Sequence, residues 1–430
     1  MILDLVQQMG ISQATSASYI QSLGGEETAV LGIDGKDKAI WKWVLDSLGF
    51  AAMRNRQEEV AEAYHATFEW IFQSLAEETH HLPWTNFAQW LRQGDGIYWV
   101  NGKAGSGKST LMKYIYNDNR TSQLLSQWWD SLPVLVATFF FWNSGSPEQR
   151  SQVGLLRAIL FQVLQHRPAL AQLIIPEECT TLRDQSVAAI QGIPRHLWSL
   201  SRLQDAVHRL IDLDNLPFKL CLFVDGLDEF EGHDDHNDQG YLIELFKSLG
   251  SSPLIKVCLS SRPLLIFEEY FKDTPGLRLQ DLTSGDIRRY VVDKLSTDPR
   301  MRLLADNEPL QKHDFVKQIC NKAQGVFLWV KLVTRSLLDG LHNSDRIADL
   351  RARLDLLPAD LEDLYRHMMG KIDELYLSGA SQIFQMVQAA RHVQAISRTD
   401  NQRTTPVTVL LLALAIEGDR EATVDTTSDS

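Results

Sequence analysis

Four cysteines in 430 residues, Cys179, Cys221, Cys258 and Cys320, stand far apart and follow no metal-ligand spacing. A disulfide framework and a zinc module are thereby excluded. Cys221 and Cys258 fall inside strand-like runs and read as small core residues, which fits a reducing compartment. The N-terminus, Met1-Ile2-Leu3-Asp4, has neither a basic region nor a long apolar run, so no secretory signal is expected. The longest apolar stretch near the end, Val407 to Ile416, is too short to span a bilayer. A cytoplasmic location is the expectation. Basic residues are outnumbered, with 42 Lys and Arg against 55 Asp and Glu and a net charge of −13. Nucleic acid is not the partner that balance predicts, since a phosphate-binding face is normally basic. No period of 20 to 50 residues recurs, which excludes a repeat array within these residues. Nor is there a Ser/His/Asp or Cys/His pairing specific enough to suggest a nucleophile.

What is present is an ordinary globular composition, 44% apolar and 23% charged, long enough for two or three domains. Residues 1–38 are weakly patterned, and residues 39–95 read as a helical lead-in carrying Trp41, Val44, Leu48, Phe68, Ile71, Phe72, Phe87, Trp90 and Leu91. An aromatic stripe of that kind is core packing before it is anything else. From Ile97 onward, strands apolar on both sides alternate with helices. The strands are Ile97–Val100, Pro133–Trp142, Phe218–Val224, Ile255–Ser260 and a short Leu277–Leu279; the helices cover Val153–Leu164, Leu203–Leu213 and Tyr241–Leu249. Residues 175–198 read as less regular. The pattern is that of an α/β protein, a parallel sheet covered by helices on both faces over residues 96–280. Strands then stop. Thr283 with Asp286 is expected to cap a helix, and helices near 311–323, 326–341 and 359–376 make residues 281–400 all-helical. Residues 401–416 are expected to begin a truncated winged-helix domain, and the acidic 417–430 to be disordered.

One stretch carries chemistry. Gly102-Lys103-Ala104-Gly105-Ser106-Gly107-Lys108-Ser109-Thr110 fits G-x-x-x-x-G-K-[ST], entered by an apolar strand and followed by Leu111, Met112, Ile115 and Tyr116 at helical spacing. Glycines let backbone N–H groups converge on a polyphosphate at a helix N-terminus. Lys108 can reach the outer phosphates, and the Ser109 hydroxyl can ligand magnesium. The strand Leu220–Val224 ends on Asp225, at the sheet edge where α/β proteins place ligands, and so supplies a second metal ligand. Gly226-Leu227-Asp228-Glu229 adds two acids, of which Glu229 is the first choice to orient or deprotonate a water; solvation of a loop is the plainer alternative. Arg262, just after the Ile255 strand, can stabilise charge on a terminal phosphate, or simply pair with a nearby acid. Two further clusters, Glu231 to Asp238 and His80-His81, match no ligand set and read as solvated loops.

The chain resembles the NACHT class of STAND signal-transduction NTPases, in the nephrocystin-like form common in filamentous fungi. The resemblance rests on Thr67-Phe68-Glu69-Trp70-Ile71-Phe72, the run Ile97 to Thr110, Asp225-Gly226-Leu227-Asp228-Glu229, Ser260-Ser261-Arg262-Pro263, Gly325 to Val330 and Leu357-Pro358-Ala359-Asp360-Leu361. It spans roughly residues 40 to 416. It implies an ATP/ADP- and magnesium-dependent switch with slow ATPase activity, self-associating through its NTPase domain or with full-length NACHT partners. Fungal members act in non-self recognition and regulated cell death. Many members carry a Gly-x-Pro that contacts adenine; here Gly325-Val326-Phe327 lacks the proline. The other function classes open at this point are a nucleotide-holding interaction module without turnover and, less favoured, a metabolic kinase or a DNA-directed ATPase.

Overall fold

The computed structural model describes residues 35–73, 84–128, 132–194, 198–213, 216–232, 237–302, 309–342 and 345–396. The expectations for residues 1–34, His80-His81, His233 to His236 and 401–430 lie outside these. Two compact units form. One combines the described residues up to Arg54 with Leu156–Leu213, the other Asn55–Leu155 with the described residues from 216 on.

In the first unit the helix Gly35–Leu48 buries Ile40, Trp43, Val44 and Leu48. Its C-terminal carbonyls would be orphans without a donor. Arg157 meets them, its guanidinium donating to Ser47, Leu48 and Gly49 carbonyls at 2.8–3.1 Å. The segment expected to be irregular contains two short helices, Pro176–Arg183 and Val187–Gly192. Pro176 starts the first and the Ser186 hydroxyl caps the second. Both are too short to show an apolar period.

The second unit holds a five-stranded parallel sheet: β1 Gly96–Asn101, β2 Val134–Phe140, β3 Lys219–Asp225, β4 Ile255–Ser261 and β5 Gly276–Arg278, in the order β2-β3-β4-β1-β5. The fold is α/β, as expected. Every residue of β3 and β4 is buried, which is why those strands read as continuous apolar runs. Side chains alternate between faces. Tyr98, Val100, Cys221, Phe223 and Cys258 join Leu111, Met112 and Ile115 in one core. On the other face Trp99 meets Phe271 of the helix Leu265–Phe271 at 5.7 Å between rings. Cys221 and Cys258 are buried free thiols whose pKa values burial raises, that of Cys221 to about 12, so they are inert packing residues.

Two buried lysines stand at the opposite, amino-terminal end of the strands. Lys256 donates to the carbonyls of Trp90 and Leu91 at 2.8 Å each and lies 4.2 Å from the Trp128 ring centre. It thus closes the C-terminal end of the helix Phe87–Gln93. Burial lowers its pKa to about 8.

The lead-in departs from a helix over residues 60–68. Ala66 and Phe68 take left-handed φ values of 53° and 65°. The Phe68 N–H donates to Asp286 Oδ2 (3.1 Å), not to a preceding turn, and Trp70 Nε1 donates to the same oxygen (3.0 Å). A tertiary partner wins over the local helical period here. The aromatics still serve as core: Phe68, Phe72, Phe87 and Trp90 pack with Tyr98.

The capping expectation for Thr283 and Asp286 is corrected by the same contacts. Thr283 has helical φ/ψ and makes no side-chain cap. Its hydroxyl donates to the Gly325 carbonyl (3.2 Å), while Asp286 is spent on Phe68 and Trp70. Thr283→Val keeps the shape and deletes the donor. It is expected to lower the unfolding free energy in urea by about 1–2 kcal/mol, the cost of a buried acceptor left unpaired.

Beyond β5 the helices Ser284–Thr297, Pro309–Ala323, Phe327–His342 and Ile347–Leu356 enclose a second core of Ile287, Val291, Leu295, Phe315, Trp329 and Leu350. The helix Ile347–Leu356, which buries Ile347, Leu350 and Leu354, is not among those expected. The helix expected over 359–376 is two, Leu361–Met369 and Glu374–Ile396. None of the helices among the described residues is long and apolar enough to cross a membrane.

Candidate functional site at the carboxyl edge of the sheet

Register places the motifs together. Asn101 pairs with Ser261, and Asp225 with Phe140, so the turns after β1, β4 and β3 leave the sheet at one edge. The glycine loop needs backbone that only glycine adopts cheaply: Gly105 has φ 71° and Gly107 has φ 102°. Gly107 then serves as N-cap of the helix Lys108–Asn117, whose first N–H groups face the edge.

A cleft of about 300 Å³ opens there. Of the loop, Ala104, Gly105, Gly107, Lys108, Ser109 and Thr110 line it, together with Asp225, Asp228, Glu229 and Arg262. Gly102, Lys103 and Ser106 do not. Gly102 closes the loop onto β4 through its N–H to Ser261 O (3.2 Å). Lys103 turns outward, its N–H donating to Gln280 and its ammonium to Gln324, both at 3.2 Å. Ser106 is fully buried with its hydroxyl unpaired among the described residues.

Lys108 Nζ donates to the Gly102 and Lys103 carbonyls at 2.8 and 3.1 Å. An ammonium has three donors, so one is left for the cleft. Burial lowers the Lys108 pKa against the opposing pull of Asp228 and Asp225. Asp225 is 1% exposed. Its carboxylate accepts from the Ser109 and Ser260 hydroxyls, and burial nevertheless raises its pKa. Ser260 also accepts the Gly226 N–H (3.1 Å), so β4, standing between β1 and β3, braces the acid strand. The left-handed turn at Gly226 (φ 76°) aims the next acids back at the edge.

Those acids have different surroundings. Asp228, 6% exposed, binds Arg262 through both oxygens, accepting its Nε and its backbone N–H at 2.9 Å each. The Arg262 side chain is half exposed and lines the cleft, while its Nε is committed to Asp228. Among the described residues Glu229 accepts a single backbone donor, the Asn143 N–H (3.2 Å), and burial raises its pKa, with Asp225 and Asp228 adding to the rise. Glu231 is a structural residue, paired with Arg150 at 2.9 Å. Among the described residues no group of acids, histidines and cysteines is arranged to hold a metal by itself.

Sequence reasoning missed four lining residues: Arg56, Phe327, Leu328 and Lys331. Phe327 and Leu328 lie in the Gly325 to Val330 segment of the resemblance without an expected site role, Arg56 and Lys331 belong to no motif, and all four reach the cleft only through tertiary packing. Leu328 is informative, because its N–H donates to the Gly105 carbonyl (2.9 Å). A β-carbon on Gly105 would lie 2.9 Å from Leu328 Cβ and 3.2 Å from Leu361. The glycine loop and the helical region therefore touch at backbone level.

Residues 66–262 match the family model described as Nephrocystin 3, N-terminal. The match covers less than half of the chain. Among solved structures, the Walker-type ATPase paby2304 of Pyrococcus abyssi is 14% identical at TM-score 0.34, covering 73% of this chain and 83% of that one. A structure of Drosophila ORC bound to DNA is 15% identical at TM-score 0.26, covering 66% of this chain and 61% of that one. No curated protein matches the chain.

Proposed function

We propose that this chain is a nucleotide-gated switch that binds ATP or ADP with magnesium and hydrolyses ATP slowly, as the NACHT class does. The observation that carries the switch is the hydrogen bond from Leu328 to the Gly105 carbonyl, beside the close packing of Gly105 on Leu361. Any ligand that reshapes the glycine loop must also move, or be resisted by, the start of the helix Phe327–His342. The donor set suits a polyphosphate: two left-handed glycines, the third Lys108 donor and a helix N-terminus. Ser109 and Asp225 suit a hard divalent cation, being a hydroxyl and a carboxylate already in contact. Magnesium held there would offset charge on the outer phosphates.

Glu229 is the proposed proton acceptor for the attacking water, because burial raises its pKa and its Oε1 has no hydrogen-bond partner among the described residues. Asp228 acts through Arg262, holding the guanidinium at the edge to face a terminal phosphate. Lys103 and Thr110 complete the loop. Self-association through the NTPase face and a role in fungal non-self recognition or regulated cell death, in the cytoplasm, follow from the resemblance and belong to the same proposal.

Mass spectrometry of the purified chain tests the reading, with retained ADP as the expected result. Single-turnover assays then separate switch from inert binder: slow ATP loss over hours is expected, and intact binding with no loss at all would favour the interaction module.

A further inference from the structure

Arg56 stands in the cleft without a motif to explain it. It lies on the short helix Asn55–Glu59, and its Nε–H is buried without a partner among the described residues. Its guanidinium lies 5.4 Å from the ring centre of Trp142, just past β2. Across the sheet edge the order is therefore Arg56 by β2, the acids after β3, Arg262 after β4, and the glycine loop after β1. The two arginines flank the acids from opposite sides. They are differently employed, since Arg262 spends its Nε on Asp228 whereas Arg56 has no ion pair among the described residues and acts at a distance on Glu229 and Asp225.

The short helix that carries Arg56 is pinned to both sides of the site. Thr138 of β2 donates to Gln57 Oε1 (3.2 Å). Lys113, on the helix that starts at the glycine loop, donates to the Glu58 and Val60 carbonyls at 3.2 and 2.7 Å. The shielded Nε–H is not open to the cleft, but Arg56 as a whole is half-buried and lines it, and a guanidinium held in place there suits a ligand oxygen.

We propose that Arg56 binds the terminal phosphate of a nucleoside triphosphate and so separates triphosphate from diphosphate. The inference rests on the nucleotide reading of the cleft. A phosphate seated between Lys108 and the Asp225–Glu229 acids comes within the arc bounded by Arg262 and Arg56, and a guanidinium meets phosphate oxygens with a two-pronged donor set. On this proposal the terminal phosphate alone reaches Arg56, and a diphosphate leaves it unengaged.

Calorimetry on the full chain with magnesium and either ADP or a non-hydrolysable ATP analogue tests this in Arg56→Gln, which keeps length and polarity, and in Arg56→Lys. Affinity for the analogue is expected to fall about tenfold or more in Arg56→Gln, the weight of charge-assisted hydrogen bonds, with ADP affinity nearly unchanged. Arg56→Lys should recover part of the loss. Equal loss for both ligands, or no loss for either, overturns the proposal. Lys108→Ala in the same titrations guards the underlying reading: if it leaves both affinities intact, the phosphate site itself is misassigned. If that variant loses both ligands while Arg56→Gln loses neither, only the role of Arg56 fails.

Discussion

Lys108→Ala is expected to weaken magnesium–ADP and magnesium–ATP binding about 10- to 100-fold, since a charged hydrogen bond contributes roughly 1.5–3 kcal/mol. The loss should come with little change in thermal stability, for reasons that the local geometry supplies. Lys108 gives two donors to the Gly102 and Lys103 carbonyls, and its removal returns these to water at the open edge. Against that, burial lowers the Lys108 pKa, so the folded protein carries an ammonium it holds at some cost. The two effects oppose each other. Calorimetry for binding and circular dichroism for melting check both halves. Unchanged affinity on folded protein would remove the glycine loop from the nucleotide site.

The parts of this site that a reader can find in the sequence are those whose chemistry is local in the chain. Gly102 to Thr110 is one loop, and Asp225 to Glu229 is one turn after a strand with no polar surface. Their meeting depends on strand order, which the sequence does not show: β4 lies between β1 and β3, and this alone brings Ser260 onto Asp225 and Arg262 onto Asp228. Phe68 and Thr283 failed expectation for a shared reason. Each has a polar group with a better partner over 40 residues away than any in its own turn, so local propensity was overridden. The pairing of residues 156–213 with the helix Gly35–Leu48 was illegible too, because an amphipathic face tells that it is covered and not by what. Arg56 combines both difficulties. It sits in a polar helix of five residues with no period, and its importance lies entirely in what surrounds it.

Asp225→Asn is expected to move function and stability in opposite directions. Magnesium-dependent ATP hydrolysis should fall about 100-fold or more, because a neutral amide is a poor ligand for a hard cation. The ligand-free protein should instead become more stable. Burial raises the Asp225 pKa, which means the charged carboxylate is disfavoured in the folded state despite the Ser109 and Ser260 hydroxyls. An asparagine keeps a carbonyl for one serine and offers its amide to the other, whose hydroxyl can also accept. Melting should shift upward by roughly 2–4 °C for each kcal/mol relieved. The sign can be checked against pH. Asp225 and Glu229 both bind protons more tightly folded than unfolded, so ligand-free stability should fall as pH rises from about 4 to their raised folded values. Asp225→Asn should flatten that slope, leaving the share that Glu229 contributes. Hydrolysis persisting in the variant would take the metal role away from Asp225. Lower stability together with lost hydrolysis would mean that the carboxylate is a structural brace, and that the disfavoured charge at the edge of the sheet serves no ligand.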